Sequence, residues 1–594
     1  MNTRAHLGFA AAFFLTLGMA MAGPASAQTS LEEIRWDRYH TYEEVTRILH
    51  LLQEARPDLI TLESAGPTTV LDWDIWAATL TNPETGPPGS KPGYYLDGGT
   101  HDWELGGSQT ALYTAWYLTT RYGEDPEVTK LLDTRTIYII PRKDAVGMEY
   151  HLTRQLPYDP ADLPARFQNR CTDPPSDITG NGEILEMRYV DPHGRWVIDS
   201  DDPRIMRARR HGDEGPFYTV IQEGIDENGD GRVNSDPCPR FSTNRNYPAR
   251  WADDLRVRRG AGDYPTQEPE TRATVDFVIA RPNIGAMESL HHYSGVILRP
   301  FTNLADDAFP DQDLAYYDAI AQRGREITDY GYVSVFNEFT ADQENPRFGV
   351  QVDWGYLDLG IIAFTTEQWR YAGNVGPTAE WTDQRHTPEV MLARSDREFG
   401  GAHFVEWESF EHPDLGPVEI GGWTQFGMPN PPPEIMEEQM MRPMLRWILY
   451  QASTTPLVRI QSVEVEALGE GASRITVEVA NEGFLPTNVT EQAIRAGIAQ
   501  PVVARISTAS GVRLLDASPQ VVLGHLEGTP AVVREVTFGT QSFGGNNRAR
   551  ASWVVQGSGS VTVEAVSQKG GRHARTVEVE GVRREGGAFP PHVQ

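Results

Sequence analysis

His101 and Glu104 stand three residues apart in Gly98-Gly99-Thr100-His101-Asp102-Trp103-Glu104-Leu105, so one turn of chain sets both side chains on the same side. An imidazole nitrogen and a carboxylate oxygen suit zinc, and a catalytic zinc takes three protein ligands with a fourth position left open. The third ligand has to come from elsewhere, since His-x-x-Glu alone also describes an ordinary polar helix start. Ser289-Leu290-His291-His292-Tyr293-Ser294 closes an apolar run, where an open sheet delivers functional side chains, and one of its histidines can serve. Ala363-Phe364-Thr365-Thr366-Glu367 carries a carboxylate off another apolar run, and Asn244-Arg245-Asn246-Tyr247 holds an arginine flanked by amides, suited to a planar carboxylate. All four stretches occur in this order in one chain.

The elements that position them form an α/β pattern from Leu31 to about Thr455. Tyr94 to Leu96, Thr136 to Ile140, Ile284 to Leu290 and Ile361 to Thr365 are predicted strands. Leu112, Ala115 and Trp116 fall at helical spacing, as do Val275, Val278 and Ile279. A chain of 594 residues with 39% hydrophobic content has ample material for cores. Its formal charge of -31 argues against nucleic acid and anionic membrane surfaces, which need basic patches. Residues 1–27 have the layout of a signal peptide: Arg4, an apolar stretch from Leu7 to Ala22, and the small residues Ala25-Ser26-Ala27. A secreted or periplasmic protein is therefore expected, with no membrane partner.

An insert of about 155–240 interrupts the pattern with Asp, Pro, Gly and Asn, and it holds the chain's two cysteines, Cys171 and Cys238. In an exported chain a pair without competitors is expected to form a disulfide, worth on the order of 4 kcal/mol for a loop of this size in the chain-entropy picture. The run Asp226-Glu227-Asn228-Gly229-Asp230-Gly231 places oxygens at alternate positions, as a calcium loop does, with Asp236 or water to complete the shell. A weaker copy runs Asp177, Thr179, Asn181. Neither has Glu at the twelfth position; the other reading of both is an Asx-rich turn. After the proline cluster Pro431 to Pro433 and an amphipathic helix, residues 456–594 alternate apolar and polar in short runs, which predicts an antiparallel β-sandwich without catalytic clusters.

Taken together, the four stretches resemble those of the zinc carboxypeptidases of the carboxypeptidase A type, the M14 peptidases. His101-Asp102-Trp103-Glu104 is similar to the family's His-x-x-Glu, Asn244-Arg245-Asn246 to its Asn-Arg pair, Leu290-His291-His292-Tyr293 to its Leu-His-Ser-Tyr, and Phe364-Thr365-Thr366-Glu367 to its Thr-x-Glu. The resemblance covers roughly residues 35 to 455. It implies a mixed α/β sheet flanked by helices in a catalytic domain of 28–455, followed by the all-β domain. It also implies one zinc on His101, Glu104 and His291, and Glu367 as general base. Asn244 and Arg245 would bind the free C-terminal carboxylate of a peptide or protein substrate. Val352, before Asp353-Trp354, would form the floor of the specificity pocket, which implies apolar or aromatic terminal residues. Three positions depart from the family. Trp103 replaces the common arginine, Asn345 falls where a mobile tyrosine is expected, and the oxyanion arginine is Arg154, Arg166 or Arg170. Two alternatives accompany the reading: a cell-wall peptide hydrolase of the same fold, and an inactive relative that serves as a binding module.

Overall fold

Tyr94, Tyr95 and Leu96 lie in a strand, Gly93–Gly98, whose every residue is buried in the computed structural model. A strand apolar on both faces needs cover on both, the condition of a central strand between helical layers. The structure describes residues 31–163, 171–238, 243–251, 261–340, 342–371, 373, 387–427, 429–529 and 546–580. The leader 1–27 and the arginines Arg166 and Arg170 lie outside these.

The central sheet has eight strands: β1 (Ile60–Pro67), β2 (Asp74–Leu80), β3 (Gly93–Gly98), β4 (Thr136–Ile140), β5 (Ile284–His292), β6 (Val296–Arg299), β7 (Gly331–Ser334) and β8 (Ile362–Gln368). Their order across the sheet is β1-β2-β4-β3-β5-β8-β6-β7. Strands β4, β3, β5 and β8 run parallel, so their C-terminal ends open on one edge. The register sets Glu367 beside His291 and Gly98 beside Leu290. All four expected strands are present. β5 and β8 continue past the expected ends at Leu290 and Thr365, because the ladder between them stays in register through His292 and Gln368. Helices Leu105–Arg121 and Pro269–Ile279 bury most of their residues against the sheet. Among the described residues no helix is long and apolar enough to cross a membrane.

The back of β5 carries Glu288, fully buried, whose Oε2 accepts from Trp447 Nε1 (3.1 Å) and Gln451 Nε2 (2.7 Å). Burial pushes this carboxyl from its ordinary 4.5 up to about 8. A raised carboxyl favours the fold while protonated, so its contribution is full below pH 4.5 and is lost as pH rises to about 8. Glu288→Gln keeps an acceptor for both donors and has no proton to lose. Relative to wild type it should gain on the order of a few kcal/mol between pH 5 and pH 8. Denaturant unfolding of both proteins at the two pH values checks this; a constant difference between them refutes it.

The insert does not stand alone. Its strands Glu186–Val190, Trp196–Ile198, Met206–Ala208 and Tyr218–Gln222 join a hairpin from far downstream, Phe404–His412 and Gly416–Trp423, in a six-stranded antiparallel sheet. Cys171 and Cys238 are joined by a disulfide, as expected. Calcium finds no support. Asp226 Oδ1 accepts from the N–H of Gly229 and Asp230, and Oδ2 from that of Gly231. Asn228 Oδ1 and Asp230 Oδ1 likewise accept from the backbone, and Asp236 Oδ2 accepts from Asn228 Nδ2. Asp177 repeats the arrangement with Gly180, Asn181 and Gly182. These are Asx-rich turns, whose oxygens satisfy their own backbone.

Beyond Thr455, two four-stranded antiparallel sheets share one apolar core that includes Val477, Trp553, Val563 and Val579. They are tied to the α/β body by polar contacts: Lys569 Nζ donates to Ile284 O at 2.6 Å, and Glu491 N and Gln492 N donate to the Asp313 carboxylate.

Candidate active site

His101 to Glu104 form a tight turn closed by Glu104 N donating to His101 O (3.3 Å), and the helix begins only at Leu105. Glu104 occupies the N-cap position but makes no capping bond, because its carboxylate points at imidazoles instead. Asn430 takes over that role from a distant segment: its Oδ1 accepts from Leu105 N (2.9 Å) and its Nδ2 donates to Trp103 O (2.9 Å). His101 Nδ1 lies 2.6 Å from Glu104 Oε1, and His291 Nδ1 lies 2.9 Å from Glu104 Oε2. The two imidazole Nδ1 atoms face each other at 3.2 Å. Among the described residues these three form the one cluster of ligand atoms that fits a metal ion, all within 4.8 Å of one another.

That geometry fits zinc. Two nitrogens each about 2.0–2.1 Å from one tetrahedral ion stand about 3.3 Å apart. Glu104 Oε2 is buried without a hydrogen bond, as a ligand oxygen awaiting a cation would be. Burial opposes the charge on Glu104, yet His101 and His291 outweigh it and hold the carboxyl down at about 2. Burial lowers His291 from the ordinary imidazole value, against the pull of Glu104. A relay fixes its tautomer: Ser289 Oγ donates to Asp97 Oδ1 (2.7 Å), so toward His291 Nε2, at 3.3 Å, it acts as acceptor. Nε2 then carries the hydrogen and Nδ1 presents its lone pair. Lys143 Nζ holds Asp97 from behind at 3.0 Å.

His292 turns the other way. Its Nδ1 lies 3.3 Å from Pro429 O, and burial lowers it to about 4, so it stays neutral. It presses on Gly106, where a Cβ would come within 2.1 Å of its ring, so that position of the helix admits only glycine. His292 thus packs on the helix at Gly106, and its ring is not part of the cluster His101, Glu104 and His291.

The metal residues open into a cavity of about 730 Å³. Asn244, Arg245, Val352 and Glu367, each expected at the site, line it. Asn244 is locked by its Oδ1 accepting from Gln351 N (2.9 Å), at the start of helix Gln351–Leu357, which carries Val352. Gly349 makes that contact possible: its φ is +63°, and a Cβ there would meet Arg245 O at 2.4 Å. Arg245 Nη1 donates to Asn244 O at 2.6 Å, and among the described residues its guanidinium meets no carboxylate. Burial, then the nearby Arg347, lower Arg245 to about 10. Glu367 makes no side-chain hydrogen bond or ion pair among the described residues. Burial and the neighbouring Glu104 raise it well above the ordinary carboxylate range, against the pull of Arg347.

Other lining residues were not legible in advance. Trp423 comes from the downstream hairpin, and Arg347 from the loop before Gly349. Arg347 is the one basic residue between Asp329 and Asp353, a faint signal in hindsight. Arg154 lines a separate small cavity with Asp102 and Tyr150 and is absent from the main one. Asn345 is exposed, bonded to Asp342, and does not line the cavity.

Residues 45–376 match the family model Peptidase_M14, zinc carboxypeptidase. The chain belongs to this zinc carboxypeptidase family. Carboxypeptidase A2 of Rattus norvegicus is 24% identical over 362 residues, spanning 58% of this chain and 68% of the relative. Carboxypeptidase A2 of Mus musculus is 25% identical over 366 residues, spanning 58% and 67%. A crystal structure of thrombin activatable fibrinolysis inhibitor aligns over 72% of this chain and 76% of its own, with 16% identity and a TM-score of 0.42. Residues 457–578 match a domain of unknown function, DUF8731. For a zinc carboxypeptidase the implied catalytic ion is Zn2+, and the donor set His101, Glu104 and His291 accommodates it.

Proposed function

We propose that this protein is an exported zinc metallocarboxypeptidase that removes single residues from the free C-termini of peptides and proteins. One observation carries the reading: a three-donor metal site, the carboxylate of Glu367 and the guanidinium of Arg245 share one cavity, the latter two without ionic partners among the described residues. His101, Glu104 and His291 hold the ion. When bound, zinc supplies Lewis acidity at the scissile carbonyl and makes water a better acid.

Glu367 takes one proton from the attacking water as its oxygen bonds to the scissile carbon. When the C–N bond breaks, Glu367 hands that proton to the leaving amine, and the water oxygen stays in the new carboxylate. Asn244 and Arg245 grip the terminal carboxylate, which places the last peptide bond, and no other, beside Glu367. Val350 and Val352 give the pocket apolar walls, so Phe or Leu ends are accepted over Lys or Arg, whose charge finds no partner there.

Purified protein should carry one zinc per chain and release single residues from free-ended peptides. His291→Ala should lose both, because two donors do not retain the ion. Elemental analysis with mass spectrometry of the digests checks both halves, and equal zinc in the variant defeats the site.

A further inference from the structure

The cavity holds a second guanidinium that the proposed hydrolysis of a terminal peptide bond does not use. Arg347 lines it alongside Val350, Val352 and Thr365. Its backbone is pinned to the pocket floor: Arg347 N donates to Thr302 O, and Arg347 O accepts from Thr302 Oγ1 (2.8 Å) and Asn303 Nδ2 (2.9 Å). Thr302 and Asn303 in turn hold the buried carboxylate of Asp353, the residue after Val352. The guanidinium is steadied by Nη1 donating to Thr340 Oγ1 and lies 5.6 Å from the Phe339 ring centroid. Among the described residues it forms no ion pair. Arg347 therefore lines the cavity beside the apolar floor, held by a built scaffold; Glu367 acts on its charge from within the same cavity, but no carboxylate pairs with it directly among the described residues.

Resting on the exopeptidase reading, we propose that Arg347 makes this a carboxypeptidase for acidic ends, binding the side-chain carboxylate of a terminal Glu or Asp. The terminal α-carboxylate is already met by Asn244 and Arg245. Once that end is seated, the side chain of the last residue enters the space between Val352 and Arg347. An apolar side chain would strip water from Arg347 and return nothing, whereas a carboxylate pairs with it in a charge-assisted bond. Charge balance points the same way. Arg245 and Arg347 line one cavity, burial lowers both, and Arg347 further disfavours the charge on Arg245, an arrangement suited to a ligand with two negative groups. Val352 supports apolar ends over Lys or Arg; Arg347 adds Glu and Asp above the apolar ones.

The test measures kcat/KM on free-ended peptides of one common body ending in Glu, Asp, Gln, Phe or Lys. Wild type should favour Glu or Asp over Gln and Phe by at least about tenfold, and Arg347→Met should collapse the Glu-to-Phe ratio by about 100-fold. Arg347→Lys, which keeps the charge, should hold part of the preference, and thermal melts of both variants establish that they are folded. A wild type that prefers Phe overturns the proposal. So does an Arg347→Met that slows every substrate equally, since that places Arg347 at the reacting carbonyl. Failure of wild type to release any terminal residue overturns the exopeptidase reading, and this inference with it.

Discussion

Glu367→Gln is expected to keep its zinc and to lose roughly 100- to 10,000-fold in kcat, the usual worth of a general base. The zinc stays because the ligand cluster consists of His101, Glu104 and His291 and does not include Glu367. The rate falls because a neutral amide cannot take the proton from water. Gln matches Glu in shape, and Glu367 has no side-chain hydrogen bond or ion pair to lose among the described residues, so the fold is not at stake. Steady-state kinetics with elemental analysis on the same preparation checks both halves. A Gln variant near the wild-type rate would assign proton transfer to another group; a variant without zinc would make Glu367 a ligand.

The site was legible in the sequence where its chemistry sits next to a strand end. His101, His291 and Glu367 each follow or close an apolar run, and parallel pairing of β3, β5 and β8 brings those ends to one edge. Such local patterns survive in a linear reading. What was not legible arises from contacts across long separations. Asn430 caps the helix at Leu105 from 325 residues away, because Glu104 has been diverted to the imidazoles. The insert finds its sheet partner in the hairpin 404–423, and that hairpin delivers Trp423 to the cavity.

The calcium reading is without support for a different reason. Alternating Asp and Asn serve a cation or the loop's own N–H groups equally well, and a sequence cannot say which; here Asp226 and Asp177 serve the backbone. Arg347 shows the converse. Val352 was expected at the cavity and lines it, but a pocket also has walls, and Arg347 lies in an irregular loop whose position no periodicity reports.

Amidating the substrate's C-terminus should cost as much as truncating Arg245, and the two losses should not add. A charge-assisted pair loses ~2–5 kcal/mol when one partner is removed, which corresponds to roughly 30-fold to several thousand-fold in kcat/KM. Arg245 is placed for such a pair: Asn244, next to it, is fixed by Gln351 N at 2.9 Å, and Arg245 Nη1 is anchored on Asn244 O. Most of the loss should appear in KM, because the terminal carboxylate does not change charge during the reaction. Arg245→Gln on a free-ended peptide and wild type on the amidated peptide should therefore both be slow, and by similar factors. Arg245→Gln on the amidated peptide should be little slower than either, because the same contact cannot be lost twice. Losses that multiply would place Arg245 elsewhere on the substrate. Wild-type kcat/KM that is equal on free and amidated ends would remove the carboxylate from recognition altogether and make the enzyme an endopeptidase or an amidase on the same metal centre.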